Sequence, residues 1–311
     1  MTLRAANPFG DVFGTDAVTP EVAAHNARMG AILSGRPGLW DIGIAKARGG
    51  NFMPEAPRSA NARESTLEND VRIRVLPARS PRGIYLHFHG GGFVLGSAAA
   101  QDPILERIVE RVGVTCVSVH YRLAPEHPYP SAWDDCETAA LWLARHGAAE
   151  LGSDRLLIGG ESAGALLAAA TLVRMRDRHG YVGFLGANLS FGVYDSGMTP
   201  SQVHSRSGVL KADEIRKCVA AYVPDQTMLR NPDISPLYAL LGGLPPAIFT
   251  VGTLDAFLDD SLFMYSRWLA AGNQAMIALW PGADHAFTDM PHPLAEPALR
   301  RIDEFLGQCL E

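Results

Sequence analysis

Short runs of apolar and β-branched residues alternate along the chain with longer stretches in which apolar residues recur every three or four positions. The short runs at 71–76, 83–88, 114–119, 155–159, 187–191, 247–251 and 276–280 predict strands. The longer stretches at 102–112, 131–145, 163–178, 259–271 and 293–310 predict amphipathic helices. Near-continuous apolar strands separated by helices imply a mostly parallel sheet covered on both faces. The first strands come without helices between them, which predicts an antiparallel start to the sheet. Two segments break the rhythm. Residues 1–58 contain no clear strand and one helix at 20–33, opened by Thr19 as N-cap with Pro20 behind it. Residues 192–236 are rich in Gly, Ser, Pro and Asp, with a helix at 212–222. Insertions in α/β enzymes lie over the carboxyl ends of the strands, where substrates bind, so both segments are expected to form a cap. The expected division is a cap segment over 1–58, a core over 59–191 and 237–311, and a cap insertion over 192–236.

Composition narrows the functional classes. The chain of 311 residues is 47% hydrophobic and 19% charged, as a globular protein with a sizeable core should be. Its net charge of -6 offers no basic field for nucleic acid or anionic lipid. No apolar run is long enough to predict a membrane span. Met1-Thr2-Leu3-Arg4 lacks the apolar core of a secretory signal, and Cys116, Cys136, Cys218 and Cys309 are scattered. Reduced, structural cysteines in a cytoplasmic protein are therefore expected.

The strongest chemical signal is Gly160-Glu161-Ser162-Ala163-Gly164, placed between a strand and a helix. A nucleophile on such a turn is lifted out of the sheet in a strained conformation, and the crowding leaves room only for very small residues at 160 and 164. The helix N-terminus then aims free N–H groups, that of Ala163 first, at a developing oxyanion. A second signal, His89-Gly90-Gly91-Gly92-Phe93, follows the strand at 83–88. Its glycines let the backbone approach a ligand closely, and the N–H groups of Gly91 and Gly92 supply the other half of an oxyanion hole. No Gly-Lys-Ser/Thr follows, against a phosphate loop. His89 reads as a brace for the loop rather than a second base.

Chain order in this fold places an acid and then a histidine after the serine. His285 follows the last strand and the turn Pro281-Gly282; His292 has no strand to aim it, His179 sits at a helix end, and His120 and His127 precede Ser162. For the acid, the strand at 247–251 leads through Gly252-Thr253-Leu254 to Asp255. Asp259 and Asp260 fall where the next helix begins, where N-cap and first-turn carboxylates are expected anyway. The triad expected is Ser162, His285 and Asp255. No His-Glu-x-x-His or clustered Cys/His set is present, so neither a metal nor an organic cofactor is expected.

These residues together resemble the hormone-sensitive-lipase-like branch of the α/β-hydrolases, the bacterial family IV esterases. The likeness rests on 89–93, on Tyr121-Arg122-Leu123-Ala124-Pro125-Glu126-His127-Pro128-Tyr129-Pro130, on 160–164, on Ser235-Pro236, on 243–247, on Asp255 with Asp259, and on His285-Ala286-Phe287. It covers about residues 70–310. Glu161 stands where the family usually has Asp, and Ala165-Leu166 where it has Gly-Asn, without loss of any triad member. The resemblance implies an α/β-hydrolase fold of about eight strands with a helical cap. It also implies a serine carboxylesterase for short- to medium-chain esters, and a homodimer through the last strand. An amidase or deacetylase with the same triad, or a homologue that only binds its ligand, remains the alternative. Arg122 and Glu126 are expected to pair within their proline-rich loop.

Overall fold

The computed structural model describes residues 10–51 and 56–311. The tetrapeptide Met1–Arg4 and the rest of 1–9 and 52–55, within the expected cap segment, lie outside the described residues. Eight strands form one sheet: β1 (Arg63–Thr66), β2 (Arg72–Leu76), β3 (Ile84–Phe88), β4 (Thr115–Val119), β5 (Leu156–Glu161), β6 (Phe184–Ser190), β7 (Ala247–Gly252) and β8 (Ala275–Trp280). Their order is β1-β2-β4-β3-β5-β6-β7-β8. β1 and β2 are antiparallel to their neighbours, and every pairing from β4 to β8 is parallel. The expected α/β-hydrolase architecture and its antiparallel start are both present.

The central strands are continuously apolar because helices cover both faces. β3 and β4 are buried along their whole length. One face packs under the helices Ser131–Leu151 and Ala163–His179, around Trp133, Leu143, Leu166 and Leu167. The other packs under Asp102–Val112 and Ala295–Gln308, around Leu105, Ile108, Ile302 and Leu306. Among the elements that depart from the sequence reading are the following three. β1 was not expected, because its four residues are all exposed and carry no apolar alternation. β6 begins at Phe184, three residues early, and the helix from Ser131 runs on to Leu151.

Arg122 and Glu126 do not pair, which corrects the expectation. Arg122 binds Asp135 at the start of the following helix, at 2.8 Å, and Glu126 receives Arg48 from the N-terminal segment, at 2.9 Å. Arg48 also donates to the carbonyls of Val94 and Ala124, at 2.8 and 2.7 Å. A side chain far away in sequence therefore fastens both the glycine loop and the proline-rich loop.

The 192–236 segment is held by carboxylates. Asp260 accepts from the N–H groups of Tyr194 and Asp195, the Thr199 hydroxyl and the Gln202 amide, all at 2.7–2.9 Å. Asp233, at the far end of the segment, is gripped by Arg174, whose side chain is 3% exposed. All four cysteines are free. Among the described residues no helix is long and apolar enough to cross a membrane.

Candidate active site

Ser162 ends the tight turn between β5 and the helix Ala163–His179, at φ 56° and ψ -116°, a conformation that costs a non-glycine residue energy. Neighbours hold it there: its N–H donates to Ser190 O at the end of β6, at 2.9 Å. A Cβ on Gly160 would lie 2.3 Å from Phe88 O, and one on Gly164 only 1.9 Å from the same atom. The turn is thus wedged against the end of β3, and both flanking positions exclude any side chain.

The three residues expected to act together are together. Ser162 Oγ lies 3.0 Å from His285 Nε2, and His285 Nδ1 lies 3.0 Å from each Asp255 oxygen. Asp255 is itself fixed by the Phe257 N–H, which donates to its Oδ1 at 2.8 Å. The His285 ring sits edge-on between Phe191 and Phe257. Burial pulls the imidazole towards its neutral form, but the charge and hydrogen bond of Asp255, helped by Asp284 and Asp289, outweigh it and leave the pKa above the ordinary histidine value. This arrangement has an acceptor for the serine proton and a carboxylate to stabilise the imidazolium that results.

The glycine loop lies against the serine: a Cβ on Gly90 would be 3.5 Å from Ser162 Cβ. Gly91 has φ 115°, and a Cβ there would stand 2.3 Å from Leu95 O, so no other residue fits. Among the described residues, the loop's own bonds run from Val94 and Leu95 N–H to Gly91 O and use the N–H of neither Gly91 nor Gly92. Ala163 opens its helix, so its N–H also lies outside the intrahelical ladder. None of these three N–H groups is therefore used within its own loop or helix.

His89 braces this loop. Its Nδ1–H donates to Gly90 O at 2.7 Å, its carbonyl accepts from the Tyr121 hydroxyl at 2.7 Å, and its ring stacks on Tyr121. Burial drives its pKa down to about 3, so it stays neutral. Glu161 accepts from His87 Nε2 at 2.8 Å; His87 Nδ1 in turn takes the Ser118 hydroxyl at 2.9 Å. Sequence reasoning missed His87. Its one signal was a polar residue in the otherwise apolar strand Ile84–Phe88.

Of the competing residues, His292 packs against His25 and Phe287. His179 pairs with Glu137 and His120 with Glu64. Asp259 and Asp260 face the 192–236 segment instead of His285. A groove of about 500 Å³ near the amino end of β3 is lined by four arginines and four acidic residues, and it contains none of the residues described above.

Two outlying segments close on the site. The helix Pro20–Leu33 places Asn26 on Gly282 O at 2.8 Å, just ahead of His285. The helix Ala212–Tyr222 brings Cys218 Sγ to 3.1 Å from where a Cβ on Gly92 would lie.

A family model described as the alpha/beta hydrolase fold matches residues 85–289. An arylesterase of Saccharolobus solfataricus is 32% identical over 248 residues, covering 78% of this chain and 79% of that protein. Carboxylesterase NlhH of Mycobacterium tuberculosis is 32% identical over 237 residues, covering 71% and 72%. Among solved structures, an esterase of Pyrobaculum calidifontis superposes with a TM-score of 0.81 at 27% identity, over 90% of this chain and 97% of that one.

Proposed function

The chain belongs to the α/β-hydrolase family, in its hormone-sensitive-lipase-like branch, and on that premise we propose a carboxylic ester hydrolase with Ser162 as nucleophile, His285 as base and Asp255 as orienting acid. The observation that carries the assignment is the chain of 3.0 Å contacts from Ser162 Oγ through both ring nitrogens of His285 to Asp255.

His285 Nε2 takes the hydroxyl proton as Ser162 Oγ attacks the ester carbonyl. The N–H groups of Gly91, Gly92 and Ala163 receive the oxyanion. Asp255 keeps the imidazole with its proton on Nδ1 and stabilises the imidazolium without taking that proton. The imidazolium protonates the departing alcohol, leaving an acyl-serine. Water then enters, gives its proton to His285 and releases the acid. His89, Gly90, Gly160, Glu161 and Gly164 hold this geometry without touching substrate.

The N-terminal segment and the 192–236 insertion form the cap, a reading supported by the Asn26 bond to Gly282 O and by Cys218 lying against Gly92. Short- to medium-chain acyl groups are the substrates this branch implies. The half-buried edge strand β8 offers the face for a second copy of the chain, which light scattering would register as twice the 33.4 kDa mass.

The test is hydrolysis of p-nitrophenyl acetate, butyrate, octanoate and palmitate by the parent and by Ser162→Ala. Activity greatest on the shorter esters and absent from the variant is expected. A folded parent with no turnover, or a variant that retains it, overturns the assignment. A matched p-nitroanilide series separates an esterase from an amidase.

A further inference from the structure

Asp284, immediately before the base, is engaged by two parts of the chain at once. Its Oδ1 accepts from the His285 N–H at 2.6 Å and its Oδ2 from the Gly208 N–H at 2.7 Å. Gly208 belongs to the cap insertion. The turn around it is shaped from within: Ser207 Oγ accepts from the N–H groups of Val209 and Leu210, and the Ser205 hydroxyl donates to Leu210 O. Among the described residues, Asp284 is the hydrogen-bond partner this 204–210 turn has outside the insertion. Leu210 anchors the carboxyl end of the turn against the core, while Val209 at 38% and the neighbouring Val203 at 40% are exposed, so apolar packing holds one end of it. On the other side of His285, Ala286 has φ 57°, so the base sits between a side-chain clamp and a left-handed residue.

We propose that Asp284 is a positioning residue that ties His285 to the 204–210 turn, so that seating of the turn and alignment of the base are one event. The inference rests on the role of His285 given above. When the turn is down, one carboxylate holds the base's backbone and the turn's backbone through a single rigid group. When the turn lifts, Asp284 loses the Gly208 N–H and the Ser207 hydroxyl, and is left half-buried beside the charge of Asp255. It must then rotate towards water and release the His285 N–H. Substrate that holds the turn down therefore also sets the base, and the benefit falls on the reaction step more than on binding.

Two isolated changes test this from opposite sides. Asp284→Asn keeps the shape but, whichever way the amide turns, faces one of the two N–H donors with its own NH₂. Gly208→Pro removes the cap-side donor and leaves the Asp284 charge in place; Gly208→Ala, whose Cβ would stand 3.5 Å from Asp284 Oδ2, keeps the donor and is the control. Both Asp284→Asn and Gly208→Pro should lower kcat about tenfold or more with KM changed less than about threefold. The double variant should lose no more than the worse single one.

The acid limb of kcat/KM should move to lower pH in Asp284→Asn and move less in Gly208→Pro, which keeps the carboxylate charge near the ring. The charged groups that raise the His285 pKa are Asp255, Asp284 and Asp289, and only the first variant removes one of them.

Hydrogen exchange of 204–210, read by mass spectrometry without substrate, should quicken about tenfold in Asp284→Asn. Unchanged exchange there, or a kcat within twofold of a parent whose turnover depends on Ser162, overturns the tether. If the parent shows no Ser162-dependent turnover, the esterase assignment fails, and exchange alone decides whether Asp284 holds the turn.

Discussion

Replacing Asp255 by Asn changes one atom and one charge at the centre of the site. Oδ1 accepts the Phe257 N–H at 2.8 Å, so the amide oxygen must take that place and the NH₂ must take the place of Oδ2, 3.0 Å from His285 Nδ1. The amide oxygen, also 3.0 Å from Nδ1, can still accept its proton, but the NH₂ beside it competes and favours the imidazole protonated on Nε2, which cannot accept the hydroxyl proton. The charge is lost as well. At 3.0 Å and an effective dielectric of about 20, a carboxylate attracts the imidazolium by roughly 5.5 kcal/mol, about four powers of ten in rate. Ground-state binding of the ester does not use this charge, so the loss should fall on kcat, by about 10³–10⁴, with KM changed little. Initial rates on p-nitrophenyl butyrate measure it, with a thermal melt to show that the variant is folded. A folded variant that loses less than tenfold in kcat would falsify the assignment, as would Asp259→Asn losing as much as Asp255→Asn.

Other consequences are equally direct. With the His285 pKa raised and the neutral ring as the active form, kcat/KM should fall on acidification with a midpoint above about 6.5, the ordinary histidine value; a midpoint well below that would show that Asp255 does not act on the ring. Gly164→Ala would put a methyl 1.9 Å from Phe88 O, forcing the nucleophile turn to shift by more than about 1 Å, and specific activity should drop about a hundredfold or more. Parent-like rates in that variant would mean the turn is not wedged as described. Arg174→Leu strands Asp233 among Tyr129, Trp133 and Arg178 with its main partner gone, and should lower the Tm by about 5–10 °C in calorimetry. A fall under about 2 °C would make the cluster energetically idle.

What could be read in the sequence divides by whether its physical cause is local. The nucleophile turn was legible because the crowding at Gly160 and Gly164 comes from a neighbouring strand end that only the smallest residues tolerate, and such exclusion marks the sequence directly. The order β2-β4-β3 was not legible, since chain order is silent about which strand lies beside which. β1 escaped because an edge strand with no buried face has no alternation to show; its Glu64 instead joins Arg74 and His120 across strands. The proline-rich loop misled because Arg122 and Glu126 are close in sequence. Their true partners, Asp135 and Arg48, lie 13 and 78 residues away. His87 was passed over because a strand-buried histidine looks the same in sequence whether it supports a site or only fills the sheet.

Asp259 and Asp260 show how a residue type can be expected for one physical reason and placed for another. Both sit in the first turn of the helix Leu258–Ala270, where carboxylates suit the dipole. Yet Asp259 accepts from the Ser201 N–H at 2.8 Å, and Asp260 takes four donors from 194–202. The loop that delivers the acid Asp255 therefore continues into the anchor of the cap insertion, just as the loop that delivers His285 carries Asp284. The insertion is fastened to the two loops whose spacing sets the His285–Asp255 contact. Asp260→Asn tests that shared attachment. Its amide keeps one acceptor for the four donors and turns an NH₂ towards the rest, leaving at least one buried donor unmet at a cost of about 1–3 kcal/mol. The Tm should fall by about 2–8 °C, and kcat on p-nitrophenyl butyrate should fall while Ser162 remains reactive towards a fluorophosphonate probe. A lower Tm with kcat unchanged would mean that the insertion's anchor and the base are mechanically independent, and that the closeness of the two carboxylates to Asp255 is an accident of the helix start.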